Sequence, residues 1–307
     1  MVTNAAARIR SFELSPSLFR TLAITAATGL WLIVVTGATV RLTGSGLGCE
    51  SWPGCEAGRP FPENGIHSFI EFGNRLVGGL VIVATLVTAL AAFRVHALPR
   101  WARWTAVGVF AGTLLQAPLG YLTVRFDLNP YLVMTHFLLS AVVLGAAVVL
   151  VVGALGTERG TVPSPVPKEL RLAAIVAAAG CLILLVTGTV ATAAGPHPGD
   201  SRKYHRLWRL QDAVFAHAVG TAIFGICFAF MLGYLVSRRS SAPRLLRLAL
   251  GVLGLVGVQI LIGAVQYHTH LPWWLVLIHV ATAASVWVGV VALAALFQRP
   301  LASLARA

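Results

Sequence analysis

Charged residues are scarce in this sequence. They make up 11% of the chain, against about 25% in an ordinary soluble domain. Aspartate is scarcer still and stands at three isolated positions, 127, 200 and 212. A membrane prenyltransferase holds magnesium pyrophosphate with paired, aspartate-rich motifs, so the sequence excludes that function. No Walker loop, zinc-ligand spacing or serine nucleophile elbow fits the predicted helices either.

Hydrophobic residues take the place of charge and make up 57% of the 307 residues. Eight apolar runs are long enough to cross about 30 Å of hydrocarbon at about 1.5 Å per residue. The sequence therefore predicts an all-α, multi-pass membrane protein. The predicted spans cover roughly residues 19–41, 68–93, 101–124, 130–153, 169–194, 211–236, 244–267 and 272–297.

The two halves of the chain repeat the same polar residues at one spacing. Positions 143 residues apart carry Gln116 and Gln259, Gly120 and Gly263, and His136 and His279. The segment 157–168, with prolines at 163, 165 and 167, cannot be helical throughout. We therefore expect two tandem four-helix bundles, an N-terminal half over 1–156 and a C-terminal half over 169–307, joined by a cytoplasmic linker over 157–168.

The first spans of the two halves also match, but at a larger spacing. Val35-Thr36-Gly37 corresponds to Val186-Thr187-Gly188 at 151 residues, so one outer loop is eight residues shorter than its counterpart. Each unit has an even number of spans, so both enter the bilayer in the same direction. The halves should be related by a pseudo-two-fold axis along the membrane normal.

Lysine and arginine predict the orientation of the spans. If both termini are cytoplasmic, the inner segments carry roughly twice as many Lys and Arg residues as the outer ones. The first span follows a basic N-terminal tail and is expected to be an uncleaved signal anchor in the plasma membrane. The formal net charge of +13 is explained by these short basic loops beside membrane lipid, so nucleic acid is not an expected partner.

Three histidines and one asparagine occupy equivalent positions. Asn74 lies 143 residues before His217, so these two residues are equivalent positions of the repeat, as are His136 and His279. All four lie about 9 to 10 Å below the outer ends of the second, fourth, sixth and eighth spans. A lone intramembrane histidine often just bonds a neighbouring helix. Three in register with a duplication favour a heme, whose iron takes facing imidazoles as axial ligands.

Glu71 and Arg75 lie one turn apart on the second span, on the face that carries Asn74. An intrahelical ion pair that lowers the cost of burial explains them without any function. The functional alternative is a carboxylate that handles protons beside a bound macrocycle, with Arg75 available to a propionate.

Cys49 and Cys55 lie close together in the first outer loop. Outside the cytoplasm such a pair is expected to be oxidised, as a structural disulfide or as one that exchanges electrons. Cys181 and Cys227 lie in apolar spans and are expected to be small packing residues.

With these residues placed, the chain resembles the heme A synthase family over nearly its whole length. The family has eight spans in two halves and an outer cysteine pair after a stretch like Thr43-Gly44-Ser45-Gly46. It also has a Glu-x-x-His-Arg motif on the second helix and single histidines on the fourth, sixth and eighth. This chain departs from the motif at one position, where Asn74 replaces histidine.

The resemblance implies a membrane oxidoreductase that oxidises a methyl group of heme O to the formyl group of heme A, for assembly of a terminal oxidase. It implies successive hydroxylations and loss of water, with heme b as cofactor and heme sites toward the outer face. The implied site residues are Glu71 as the catalytic carboxylate; His136, Asn74 and Arg75 at the substrate heme; and His217 and His279 as iron ligands of heme b. Iron would thus be held through His136, His217 and His279.

The resemblance implies several partners, and two other functions compete with it. The partners are heme O, the heme O synthase that supplies it, an electron donor or acceptor, and further copies of the chain. A non-catalytic cytochrome b would use the histidines but has no evident use for Glu71. A heme transporter would place its polar site at the midplane, whereas the polar residues here cluster toward one face.

Overall fold

The structure is a computed structural model that describes residues 13–302, apart from positions 57, 60, 64, 165 and 201–206. This part of the chain forms eight helices, each long and apolar enough to cross a membrane. They are α1 (Pro16–Leu42), α2 (Ile66–Ala92), α3 (Arg100–Arg125), α4 (Pro130–Arg159), α5 (Lys168–Ala194), α6 (Leu210–Ser237), α7 (Pro243–His268) and α8 (Trp273–Gln298). The prediction of an all-α, multi-pass membrane protein is confirmed.

The helix ends agree with the predicted spans to within a few residues. The largest difference is at α4, which continues six residues past its apolar run to Arg159. The extension is stabilised by Glu158, whose carboxylate pairs with Arg20 of α1 at 2.6 Å. The basic residues at positions 8, 10, 202, 203, 206 and 306, which contributed to the predicted orientation, lie outside the described residues.

Local sequence signals start several of the helices. The Ser15 hydroxyl accepts a hydrogen bond from the Leu18 amide at 3.2 Å, and Pro16 follows as the first helical residue. The side chain of Asn129 caps α4 in the same way, again just before a proline. A side-chain oxygen satisfies an amide of the first turn, and proline lacks the N–H that would otherwise need a partner.

Each half forms a four-helix bundle, and the two bundles differ in closure. In the N-terminal half, α1, α2, α3 and α4 form a ring in which each helix packs against both neighbours. In the C-terminal half, α5 packs tightly on α6 and on α8, and α7 packs on α8. Helices α6 and α7, however, meet at few points, so this ring is nearly open on one side.

The interface between the two halves is approximately symmetric, since equivalent helices of each half make equivalent contacts. Helix α4 packs against α8, its own equivalent; α1 packs against α8, and α4 packs against α5 in the equivalent contact. Trp287 of α8 donates a hydrogen bond from Nε1 to the carbonyl of Ala141 at 2.7 Å. Its ring lies so close to Gly145 that a Cβ there would be 3.0 Å away. This arrangement is what a pseudo-two-fold axis along the bundles requires.

The connection from α1 to α2 (residues 43–65), here called the disulfide loop, folds back over the N-terminal bundle. The predicted disulfide between Cys49 and Cys55 is confirmed. Trp52 of this loop packs against Tyr121 of α3, with ring centroids 5.5 Å apart. Arg75 of α2 donates to the loop carbonyls of Ser51, at 2.7 Å, and of Gly54. The loop thus ties α2 to α3.

Candidate heme-binding site

The second helix of each half places one polar side chain against the first helix. In the N-terminal half, Asn74 accepts a hydrogen bond through Oδ1 from the Thr36 hydroxyl at 2.8 Å. In the C-terminal half, Nδ1 of His217 lies 3.3 Å from the hydroxyl of Thr187. Thr36 and Thr187 are the equivalent threonines of the repeated Val-Thr-Gly triplet, so the same contact holds an amide in one half and an imidazole in the other.

The fourth helix of each half presents its histidine to the third. Gln116 donates from Nε2 to the carbonyl of His136 at 3.3 Å, and Gln259 does the same to His279 at 3.0 Å. Gly120 and its equivalent in α7 lie beside the two rings, where a Cβ would be 3.6 Å and 3.1 Å from the respective Cε1 atoms. Glycine at this position leaves room for the imidazole.

The same atoms are left without partners in both halves. Nδ1 of His136 and of His279 is buried, and it has no hydrogen bond within the described part of the chain. The Oε1 atoms of Gln116 and Gln259 are in the same state. Buried polar atoms without partners are costly, so their repetition at equivalent places marks a site rather than a packing fault.

His217 and His279 face each other inside the C-terminal bundle. Their ring centroids lie 6.4 Å apart. Two axial imidazoles on one iron have centroids about 6 Å apart, given a metal–nitrogen bond of about 2 Å and about 1 Å from that nitrogen to the ring centre. The spacing of this pair therefore matches the distance expected for two imidazoles on one iron.

Glu71 is buried, with 4% of its surface exposed. Its Oε1 pairs with the Arg75 guanidinium at 2.5 Å, so the ion pair expected from the i, i+4 spacing is present. Its Oε2 accepts a hydrogen bond from the amide of Cys49 at 2.8 Å. The carboxylate is therefore fixed directly to the disulfide loop, and Arg75 fixes the same loop by its carbonyls.

The sequence did not predict a series of hydrogen-bonded side chains at the start of α2. Nδ1 of His67 lies 2.8 Å from the Ser45 hydroxyl, which in turn lies 2.8 Å from the Thr43 hydroxyl. Ser45 is fully buried, whereas His67 is exposed. The motif Thr43-Gly44-Ser45-Gly46 was the available signal, because small and hydroxylated residues allow a chain to turn tightly against a helix end.

Fold and site together define a class: multi-pass membrane proteins made of a duplicated four-helix unit, with histidines on the fourth, sixth and eighth helices. Within this class, the chain belongs to the COX15-CtaA family of cytochrome oxidase assembly proteins, which it matches over residues 60–291. The match includes Glu71, Asn74 and all three histidines of the site, while both cysteines of the disulfide precede it.

Curated relatives with two different names match this chain. Over 284 residues the chain is 31% identical to a protoheme IX farnesyltransferase of Thermus thermophilus, in a match that covers 84% of this chain and 45% of that protein. A heme A synthase of Geobacillus kaustophilus is 31% identical over 43% of this chain and 41% of its own length. One from Alkalihalophilus pseudofirmus is 32% identical over 47% and 48%. The matched segments thus span about half or less of each relative.

Proposed function

We propose that this protein is a heme A synthase that oxidises a methyl group of heme O to a formyl group. The observation that carries the proposal is the 6.4 Å spacing of His217 and His279 in a chain of the cytochrome oxidase assembly family. Relatives named heme A synthase match part of the chain and support the same activity.

The C-terminal half would hold heme b through His217 and His279. When bound, this heme would relay electrons. The Thr187 hydroxyl, 3.3 Å from Nδ1 of His217, would fix that ring and leave Nε2 as the nitrogen available to iron. On the other side, Gln259 donates to the backbone carbonyl of His279.

The N-terminal half would take heme O, with His136 as its one imidazole. The side chain of Asn74 is hydrogen-bonded to Thr36, so a heme there would lack the second strong ligand proposed for the other half. Weaker ligation suits a site whose substrate and product are both hemes, because the product must leave after every turnover.

Glu71 would act as the catalytic carboxylate at this site. It lies one turn from Asn74 on the same face of α2. Arg75 and the amide of Cys49 each donate to one of its oxygens, and these two bonds fix the position of the carboxylate. Arg75 would help to position the substrate heme by holding this carboxylate and the disulfide loop.

The disulfide supports an orientation. Disulfides persist in oxidising compartments, so the end of the bundle that carries the Cys49–Cys55 loop would face outward. Both termini would then be cytoplasmic, in the plasma membrane, with the histidine sites toward the outer face. Association with further copies of the chain stays a sequence-based prediction.

The farnesyltransferase relative suggests a partner. More than half of that protein lies outside the match, and the three separate aspartates of this chain cannot form a magnesium pyrophosphate site. We infer that farnesyl transfer belongs to the unmatched part, and that a heme O synthase supplies the substrate here. An electron donor or acceptor for the oxidation is the other partner.

Mass spectrometry of extracted hemes tests the proposal. Cells that make the protein together with a heme O synthase should contain heme A, whereas cells with Glu71→Ala should accumulate heme O or a hydroxylated intermediate. We expect heme A formation to fall by about a hundredfold or more, as for loss of a catalytic acid or base. Glu63→Ala is the matched control, since that exposed carboxylate pairs with Arg59 within the disulfide loop.

The outcomes separate the competing functions. Unchanged heme side chains with the wild-type protein would indicate an electron-transfer cytochrome or a transporter. Normal heme A production by Glu71→Ala would remove the carboxylate, and with it the substrate site in the N-terminal half, from the mechanism.

A further inference from the structure

A cavity of about 460 Å³ opens at the end of the molecule opposite the disulfide loop. Its walls are residues 161–164, 166 and 167 of the inter-half linker, the start of α5 and the end of α8. Neither the heme sites nor Glu71 contribute to it. It lies where two membrane-spanning helices meet the aqueous phase, at the level expected for lipid headgroups.

Three cationic side chains line this cavity: Lys168, Arg171 and Arg299. Among the described residues that line it, none is acidic. Nε of Arg171 is buried and has no hydrogen-bond partner in the described structure. The guanidinium of Arg299 is held over the ring of Trp101, 4.8 Å from its centroid. The cavity therefore concentrates positive charge, with at least one donor unsatisfied.

The start of α5 adds backbone donors to these cations. Its N-cap residue is Pro167, and no side chain caps the helix. The amides of the first turn are thus without a side-chain acceptor, at the positive end of the helix dipole. Glu169, the acidic residue of this turn, is exposed and does not line the cavity.

The walls are fixed by hydrogen bonds between the linker and the C-terminal segment. The Val162 amide donates to the carbonyl of Pro300 at 3.1 Å, and the Ala302 amide donates to that of Gly160 at 3.0 Å. The Ser164 hydroxyl donates to the carbonyl of Phe297 at 2.8 Å. The cations are therefore held at a preformed recess rather than on loose loops.

We propose that this recess binds the phosphate group of an anionic phospholipid. A phosphate oxygen accepts hydrogen bonds from guanidinium, ammonium and backbone amides at once, which is the donor set present here. The position at a membrane face favours a lipid headgroup over a free ion, because basic recesses between spanning helices bind such headgroups. The lipid would connect the linker to the start of α5 and the end of α8.

Native mass spectrometry and thermal unfolding of the purified full-length protein test this proposal. The delipidated protein in neutral detergent is titrated separately with phosphatidylglycerol, phosphatidylcholine and inorganic phosphate. Phosphatidylglycerol should be retained as a bound adduct and should raise the unfolding temperature, and the other two should do neither. The variant Lys168→Gln/Arg171→Gln/Arg299→Gln should lose both effects.

A second triple variant, Arg238→Gln/Arg239→Gln/Arg247→Gln, is the matched control. It removes the same charge from exposed arginines in the α6 to α7 connection and in the first turns of α7, on the same end of the bundle, and should bind the lipid as the wild type does. Lys168→Gln and Arg299→Gln alone should each weaken binding by about fivefold, which gives a readout should the first triple variant fail to fold.

Each remaining outcome decides the question. Equal loss in both triple variants would overturn the site and leave general charge attraction. Saturable binding of inorganic phosphate with no preference for the lipid would keep a phosphate site but overturn the membrane source. Equal retention of phosphatidylcholine would overturn the role of the cations.

Discussion

The two halves of this protein are copies of one four-helix unit, yet they differ at the positions where a heme would bind. The C-terminal half places His217 opposite His279, whereas the N-terminal half has Asn74 opposite the position of His136. The threonine, glutamine and glycine contacts around these residues are kept in both halves. The two halves thus share the frame of the candidate site and differ at one residue, Asn74 against His217.

The halves also differ in how closely their second and third helices pack. The disulfide loop spans residues 43–65 and contacts both α2 and α3, which pack against each other. Its counterpart spans residues 195–209, and α6 and α7 there touch at few points. The described part of the shorter connection contributes no aromatic contact to α7 equivalent to Trp52 on Tyr121.

Removal of an imidazole from the C-terminal half should have the largest effect. We expect His217→Ala or His279→Ala to weaken retention of heme b by at least about a hundredfold, since one axial ligand is lost outright. The heme content and low-spin absorption of the reduced, purified variants measure this. His268→Ala, at the exposed end of α7, is the control; retention of the full signal in both site variants would refute the ligand assignment.

Addition of an imidazole to the N-terminal half should make its heme binding resemble that of the C-terminal half. In Asn74→His, the Thr36 hydroxyl is placed to bond the new ring as Thr187 bonds His217. We expect tightly held heme to rise from about one to about two per chain and turnover to slow, because product release would be impeded. Asn74→Ala, which removes the amide without adding a ligand, is the control. A variant with unchanged heme content would show that the two sites differ in more than this ligand.

Much of the frame behind this comparison could be predicted from sequence, because it depends on local pattern. Long apolar runs define the eight helices. The 143-residue spacing of His136 and His279 identifies equivalent residues of the two halves from the sequence alone. The disulfide followed from the short spacing of Cys49 and Cys55. Apolar runs and repeats are properties of contiguous segments, so neighbouring residues carry the information.

The contacts that depend on the path of a loop could not be predicted. Nothing in the sequence indicates that the Glu71 carboxylate accepts from the Cys49 amide or that Arg75 holds the carbonyl of Ser51. The pairing of Val162 with Pro300 at the other end of the molecule is of the same kind. In each case a backbone group is one partner, and backbone groups leave no signature in residue identity.

Loss of the disulfide should affect the N-terminal half alone. We expect Cys49→Ser/Cys55→Ser to lower the free energy of unfolding by about 2 kcal/mol, since a short loop is no longer closed in the unfolded chain. Heme A formation should fall because the Cys49 amide positions Glu71, while the heme b spectrum should persist. Chemical unfolding and heme extraction measure the two effects, and Cys227→Ser, at a free cysteine of α6, is the control. Loss of the heme b signal would contradict the independence of the halves.

The smallest effect should come from a single methyl group at equivalent glycines of the first helices. A Cβ on Gly188 would lie 3.1 Å from Cε1 of His217, whereas one on Gly37 would lie 4.0 Å from Oδ1 of Asn74. Gly188→Ala must therefore push the ligand ring aside, at a cost of about 1 kcal/mol, and Gly37→Ala meets ordinary contact distance. We expect heme b to dissociate about fivefold faster from Gly188→Ala and at the wild-type rate from Gly37→Ala, as measured by transfer to apomyoglobin. Equal rates in the two variants would mean that the ring has room to move, and that the close fit around His217 does not set how tightly the C-terminal half holds its heme.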